Sequence, residues 1–262
     1  GTGTGMGTGS STGTGTETGA DTGSGGTVTV PLGVAENAAM TLPNTGDNGL
    51  TLLTHTMLEV ERINTKQPDP APVDSWNFVD ANGNFAAPAL SEFAVTVNGQ
   101  PATVASVGFK RRVRYAPLVT RDLRIDNCLY LQLATPVPDG ATVAVTNPSG
   151  ALWPAAMKFA TAADPLRHSP AIHVNEEGYV PSFPKKAMVG YYLGSKGEMD
   201  VPASSAFTLV NAATGVSVYQ GTLTARPDTG YTYSPTPYQK VLMADFSNFT
   251  TPGEYELVVP GL

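Results

Sequence analysis

The chain has 262 residues, of which only 14% are charged, well below the roughly 25% of an ordinary soluble protein, while glycine (28) and proline (22) are abundant. This excludes a helical protein and points to a turn-rich β fold. The net charge of −7 excludes nucleic acid and anionic membrane as principal partners, and the single cysteine, Cys128, excludes an intrachain disulfide or a thiolate metal cluster.

Residues 1–26 are dominated by Gly and Thr and contain nothing to bury, so they read as a disordered low-complexity linker. From Thr27 the composition changes, and residues 27–162 read as a β-sandwich domain of unassigned family. Its predicted strands are 27–30, the Thr/Leu/Val/Ile-rich run 50–63, 93–97, 102–115, 128–134, 141–147 and 157–161. Asn98-Gly99 predicts a type I′ hairpin turn, and the Pro-rich run 67–73 an irregular loop. Leu129, Leu131 and Leu133 share one face, and Cys128 is read as a buried strand residue. No run of 18 or more apolar residues occurs, so no transmembrane helix is predicted.

A short linker is placed at 163–171 because it is polar and carries two X-Pro steps. Residues 172–262 then read as a second, immunoglobulin-like sandwich, with strands at 172–175, 187–193, 206–210, 216–220, 240–245 and 254–259. Near its end Gly253, Tyr255 and Leu257 alternate in the manner of a tyrosine corner, Leu257 standing at the inward position where an immunoglobulin domain has its second cysteine. The expected fold class is therefore all-β, with two immunoglobulin-like sandwiches in tandem after a disordered linker. If 254–259 is the penultimate strand of the fold, the second sandwich lacks its final strand, and an open edge is expected there.

Two separated motifs in this second sandwich carry a family resemblance. The first is Asn175-Glu176-Glu177-Gly178-Tyr179-Val180-Pro181, followed by Pro184-Lys185-Lys186-Ala187; the second runs from Ala244 through Asp245 and Phe246 to Gly253 and Tyr255. In both, the segment resembles the N-terminal immunoglobulin-like module of glycoside hydrolase family 9 cellulases. That family opens on Asn-Gln-x-Gly-Tyr-x-Pro and closes on Ala-Asp-Phe-Ser-x-Phe-x-x-Pro-Gly-x-Tyr; Glu176 stands in place of the usual Gln. The resemblance implies a secreted, extracellular or cell-surface enzyme acting on cellulose or β-glucan, whose catalytic barrel lies C-terminal to this module in the same polypeptide. The family's catalytic Asp-Ala-Gly-Asp motif does not occur in these residues, so the chain reads as a fragment without catalytic residues of its own.

Candidate sites outside the motifs are few. Trp76 and Trp153 are the candidate sugar-stacking residues of a carbohydrate-binding module in residues 27–162, the principal alternative function. Tyr231, Tyr233 and Tyr238 crowd a Pro-rich loop and are assigned to contact with another domain. Asp80, Asn82 and Asn84 place oxygen side chains at alternate positions, as calcium ligands do, but their Gly follows the second ligand position instead of the third, which favours a plain turn. Otherwise no cofactor is expected. Lys110, Arg112 and Arg114 share one face of their strand and read as a solvated outer surface. A third reading, adhesin-type spacer domains, requires further sandwiches upstream of the Gly/Thr segment.

Overall fold

In a computed structural model, the described residues are 44–66, 76, 78–119, 122–226 and 240–262. The predicted strand 27–30, the Pro-rich run 67–73 and Tyr231, Tyr233 and Tyr238 lie outside them. The first half contributes β1 (Asn48–Thr54), β2 (Met57–Lys66), β3 (Ala94–Val97), β4 (Gln100–Ala102), β5 (Val104–Tyr115), β6 (Leu123–Leu133), β7 (Thr142–Thr146) and β8 (Lys158–Ala162). They form two antiparallel four-stranded sheets, ordered β1-β2-β6-β5 and β4-β3-β7-β8. The run expected as one strand over 50–63 is a hairpin, because the chain turns at His55-Thr56 and pairs Leu52 with Leu58. Asn98 (φ 50°) and Gly99 (φ 77°) make the type I′ turn that their sequence predicts, closing β3 onto β4.

The second half contributes β9 (Ile172–His173), β10 (Lys186–Val189), β11 (Ala206–Asn211), β12 (Ser217–Thr222), β13 (Thr224–Ala225), β14 (Leu242–Asp245) and β15 (Tyr255–Val258). These pair as β13-β14-β10-β9 and β12-β11-β15, so among the described residues β15 is hydrogen-bonded on one side only, to β11. Helical structure is confined to two three-residue 3₁₀ turns, and none of the described helices is long and apolar enough to cross a membrane.

The layer that organises the molecule is the β1-β2-β6-β5 sheet, whose two faces belong to two different cores. Leu58 and Val60 of β2 and Leu129, Leu131 and Leu133 of β6 point into the core of the first sandwich. Their alternate neighbours Met57, Cys128 and Tyr130, with Leu53, point the other way and join Val189, Phe207 and Leu242 in the second core. Strand alternation makes this arrangement available, since successive residues face opposite sides. It also explains the unbroken burial of β6 from Ile125 to Leu131. The described residues accordingly lie in one compact unit. The connection between the halves is fastened at both ends, with Ala163 in the first core and Ala171 in the second. Between them Arg167 donates to Leu52 O at 2.8 Å and to Gly261 O at 3.0 Å.

Trp76 and Trp153 are corrected from surface platforms to core residues. They are 0% and 2% exposed, their ring centroids lie 5.7 Å apart, and Trp153 meets Phe159 edge-on at 5.0 Å. The Trp76 indole N–H donates to Leu152 O at 2.7 Å, while the buried Asn147 side chain takes up the N–H groups of Leu152 and Trp153. Neither indole offers a face on which a sugar ring could stack, because two large apolar rings stabilise the sandwich most when fully removed from water.

Candidate functional site

The two motifs, about 60 residues apart in sequence, meet at one end of the second sandwich. In the first, Asn175 Oδ1 accepts the Glu177 N–H (3.0 Å) and Asn175 O accepts the Gly178 N–H (3.0 Å). Gly178 sits at φ 85°, where a side chain would be strained. The Tyr179 hydroxyl then accepts the Asn175 N–H and donates to Lys186 O, both at 2.9 Å, and its ring lies edge-on to Phe246 at 5.0 Å. In the second motif, Asp245 Oδ1 accepts the Ser247 N–H at 3.0 Å and Phe246 O accepts the Phe249 N–H at 2.9 Å. Tyr255 packs its ring over Gly253, where a Cβ would meet the hydroxyl oxygen at 2.8 Å, and donates that hydroxyl back to Pro252 O at 3.2 Å. This is the geometry that a tyrosine corner provides. Leu257, two residues on, packs partly buried against the second core.

Lys185 ties the motifs together, and its role is not apparent from sequence. The side chain is only 4% exposed, and its ammonium donates to three carbonyls: Pro181 O (2.7 Å), Phe183 O (2.9 Å) and Ser247 O (3.1 Å). Its main chain repeats the connection, the N–H donating to Ser247 Oγ at 3.0 Å and the carbonyl accepting the Phe246 N–H at 3.0 Å. Three donors on one ammonium match three carbonyls that the loop geometry strips of water.

Around this knot lies a groove of about 450 Å³, lined by Val174, Tyr179, Lys185, Phe246, Phe249 and Tyr255 among others. It runs along the β15 side of the second sandwich, where that strand is open among the described residues. Val180 and Phe183, in the same loop, are 54% and 63% exposed. The arrangement supplies an apolar trough beside a strand edge that is free among the described residues, and among its described lining residues Glu254 is the one carboxylate. Glu176 and Glu177 lie in the exposed turn, and the Asp245 carboxylate is held down by its Ser247 hydrogen bonds, with Lys186 3.7 Å away.

A second polar assembly lies where the two halves meet and draws in the half-buried Lys110, while Arg112 and Arg114 stand on the exposed face expected of them. Lys110 Nζ sits 4.2 Å over the Tyr191 ring and donates to Tyr192 O at 2.9 Å; burial lowers its pKa. Arg112 Nε donates at 2.6 Å to Asp126, which is wholly buried, and although burial opposes it, that carboxylate holds the guanidinium charged. The Tyr191 hydroxyl crosses from the second half to donate to buried Glu59 at 2.8 Å. Burial first, and then the Glu59 charge, push both Tyr191 and Tyr130 well above the ordinary phenol range. Burial likewise pushes the Cys128 thiol up, and its Sγ donates to Asp126 at 3.2 Å, so the lone cysteine is a protonated core residue.

The Asp80 loop is a turn whose carboxylate serves the backbone. Asp80 Oδ1 accepts the N–H groups of Asn82 (2.8 Å) and Asn84 (2.9 Å), and Gly83 takes φ 83°. These bonds, that of Asn84 foremost, hold the carboxyl below its ordinary range. Among the described residues no group of three or more His, Cys, Asp and Glu side chains could hold a metal ion.

Residues 167–262 match the family of the cellulase N-terminal Ig-like domain. A search of curated proteins found no match. Among solved structures, those matched include two of pullulanase from Anoxybacillus sp. LM18-11, one complexed with maltotriose, each at 10% identity over 81% of this chain. Their TM-scores are 0.22 and 0.21, and the alignment takes in only 24% of each pullulanase chain. The paired motifs, the tyrosine corner and the family match fall on the same segment: residues 167–262 match the cellulase N-terminal Ig-like domain.

Proposed function

We propose that this chain supplies accessory, non-catalytic modules to a secreted glycoside hydrolase of the cellulase type. The 167–262 module holds and orients a catalytic domain that follows it in the same polypeptide. The observation that carries this reading is the fate of the motif residues. Asn175, Tyr179, Lys185, Asp245 and Tyr255 all spend their polar groups on their own loops. What they leave exposed is an apolar groove beside the one-sided strand β15. Such a surface suits docking of a protein domain. It does not suit glycosidic hydrolysis, which requires two carboxyl groups roughly 5–10 Å apart across the substrate.

Two outcomes follow. The purified chain releases no reducing sugar from carboxymethyl-cellulose; measurable release defeats the accessory reading. In a longer polypeptide that carries the catalytic domain, the amides of β15 exchange with solvent at least tenfold more slowly than in this chain. Equal exchange in the two proteins would remove the groove and its strand edge as the docking face.

A further inference from the structure

The boundary of the family match and the boundary of the core it belongs to do not coincide. The match begins at residue 167, yet the core of the second sandwich is completed by Leu53, Met57, Cys128 and Tyr130, all upstream of it and at most 5% exposed. Taken off the central sheet, the second sandwich would lose one wall of its core, and the sheet would present those four side chains to water as one apolar face. Polar ties fasten the seam across the whole width of that sheet. At β5 the Phe109 N–H donates to Ser195 Oγ and Lys110 Nζ to Tyr192 O, both at 2.9 Å. On β2 Glu59 accepts the Tyr191 hydroxyl at 2.8 Å, and at β1 Arg167 joins Leu52 O to Gly261 O at 2.8 and 3.0 Å. β5 and β1 are the two edges of the sheet, with β2 between them. Any rotation of one half against the other therefore breaks the ties at an edge and lets water onto Met57 and Tyr130. Domains of one chain move against each other when their interface is small and polar; an interface that is itself part of a core removes that freedom.

We propose that the two sandwiches are interlocked into a single cooperative folding unit, in which the first supplies a wall of the second one's core and the connection 163–171 is not a hinge. The folding unit is then larger than the segment that matches the family. Under the docking role proposed above, a domain seated on residues 167–262 is held at one fixed angle to the first sandwich; that consequence rests on the docking role, whereas the interlock rests on the packing alone.

The test weakens one core of the whole chain and reads the other by hydrogen exchange. Val145 on β7 is fully buried in the first core and takes no part in the second. Val145→Ala lowers the protection of the slowest-exchanging β7 amides by on the order of tenfold or more. In a single unit the slowest amides of β11, the middle strand of β12-β11-β15, lose protection by the same factor. A clearly smaller loss at β11 than at β7 overturns the interlock. Leu209→Ala on β11, buried in the second core, runs the comparison in reverse: β7 must lose what β11 loses, and a spared β7 overturns the interlock equally. If neither variant folds, calorimetry of the native chain decides. One transition whose calorimetric and van't Hoff enthalpies agree supports the single unit; two transitions, or a van't Hoff enthalpy well below the calorimetric one, overturn it.

Discussion

Gly194→Ala will prise the second sandwich off the edge of the central sheet, destabilising the protein by about 3 kcal/mol or more. β5 is the last strand of its sheet, and its open edge is covered by the 3₁₀ turn at Gly194–Lys196. There the Phe109 N–H donates to Ser195 Oγ at 2.9 Å, and Lys196 Nζ reaches Ser106 Oγ at 2.7 Å over the flat surface of Gly108. Gly194 makes the approach feasible. It holds φ 58°, and a Cβ on it would overlap Phe109 O and stand 2.8 Å from Lys110 Cβ. The left-handed backbone alone costs an alanine about 1 kcal/mol. The overlap is with main chain, which has no rotamer by which to move aside. The result to look for is a lower urea midpoint, with the Phe109 amide losing its exchange protection before those of the first core. An unchanged midpoint would mean that the turn does not clasp the sheet edge.

Lys185→Met should cost roughly 3–5 kcal/mol and let the two motif loops separate. The substitution keeps most of the apolar stem, so packing alone predicts little change. What is lost is the ammonium, and with it the partner of three carbonyls at 2.7, 2.9 and 3.1 Å. Those oxygens come from both motif loops, and without a donor each must regain water by moving apart. Thermal unfolding measures the loss. Tyr179, whose ring packs on Phe246, reports in its NMR shifts whether the loops have separated. If Lys185→Met matches the native protein in both, the carbonyls are satisfied by other means and the lysine is not the tie. Lys185→Arg is the informative companion: the charge remains, but a planar fork does not fit three carbonyls arranged around a point donor.

Much of the second sandwich is legible in its residues, because turn and corner chemistry is local. Gly178 is required by a positive φ three residues after Asn175, and Gly253 by the Tyr255 ring stacked upon it. Alternation likewise assigns Leu129, Leu131 and Leu133 to one face of β6. The same alternation is silent about what covers the other face. Cys128 and Tyr130 are compatible with a half-wet surface, and Lys110 even more so, yet the first two are buried in the second core and Lys110 packs over the Tyr191 ring. Trp76 and Trp153 misled for a related reason: an isolated aromatic has the same pattern whether it anchors a core or binds a sugar.

The residues by themselves determined an all-β chain, where most of its strands run, and a pair of motifs that resemble those of the cellulase N-terminal Ig-like domain. These depend on period, turn residues and short-range spacing, all written within a few positions of one another. Only the tertiary structure decided that one sheet serves two cores, that Lys185 is buried, and that Asp126 is buried against the Arg112 guanidinium. Each of those depends on groups brought together from distant segments, where desolvation reverses what a charged side chain ordinarily prefers.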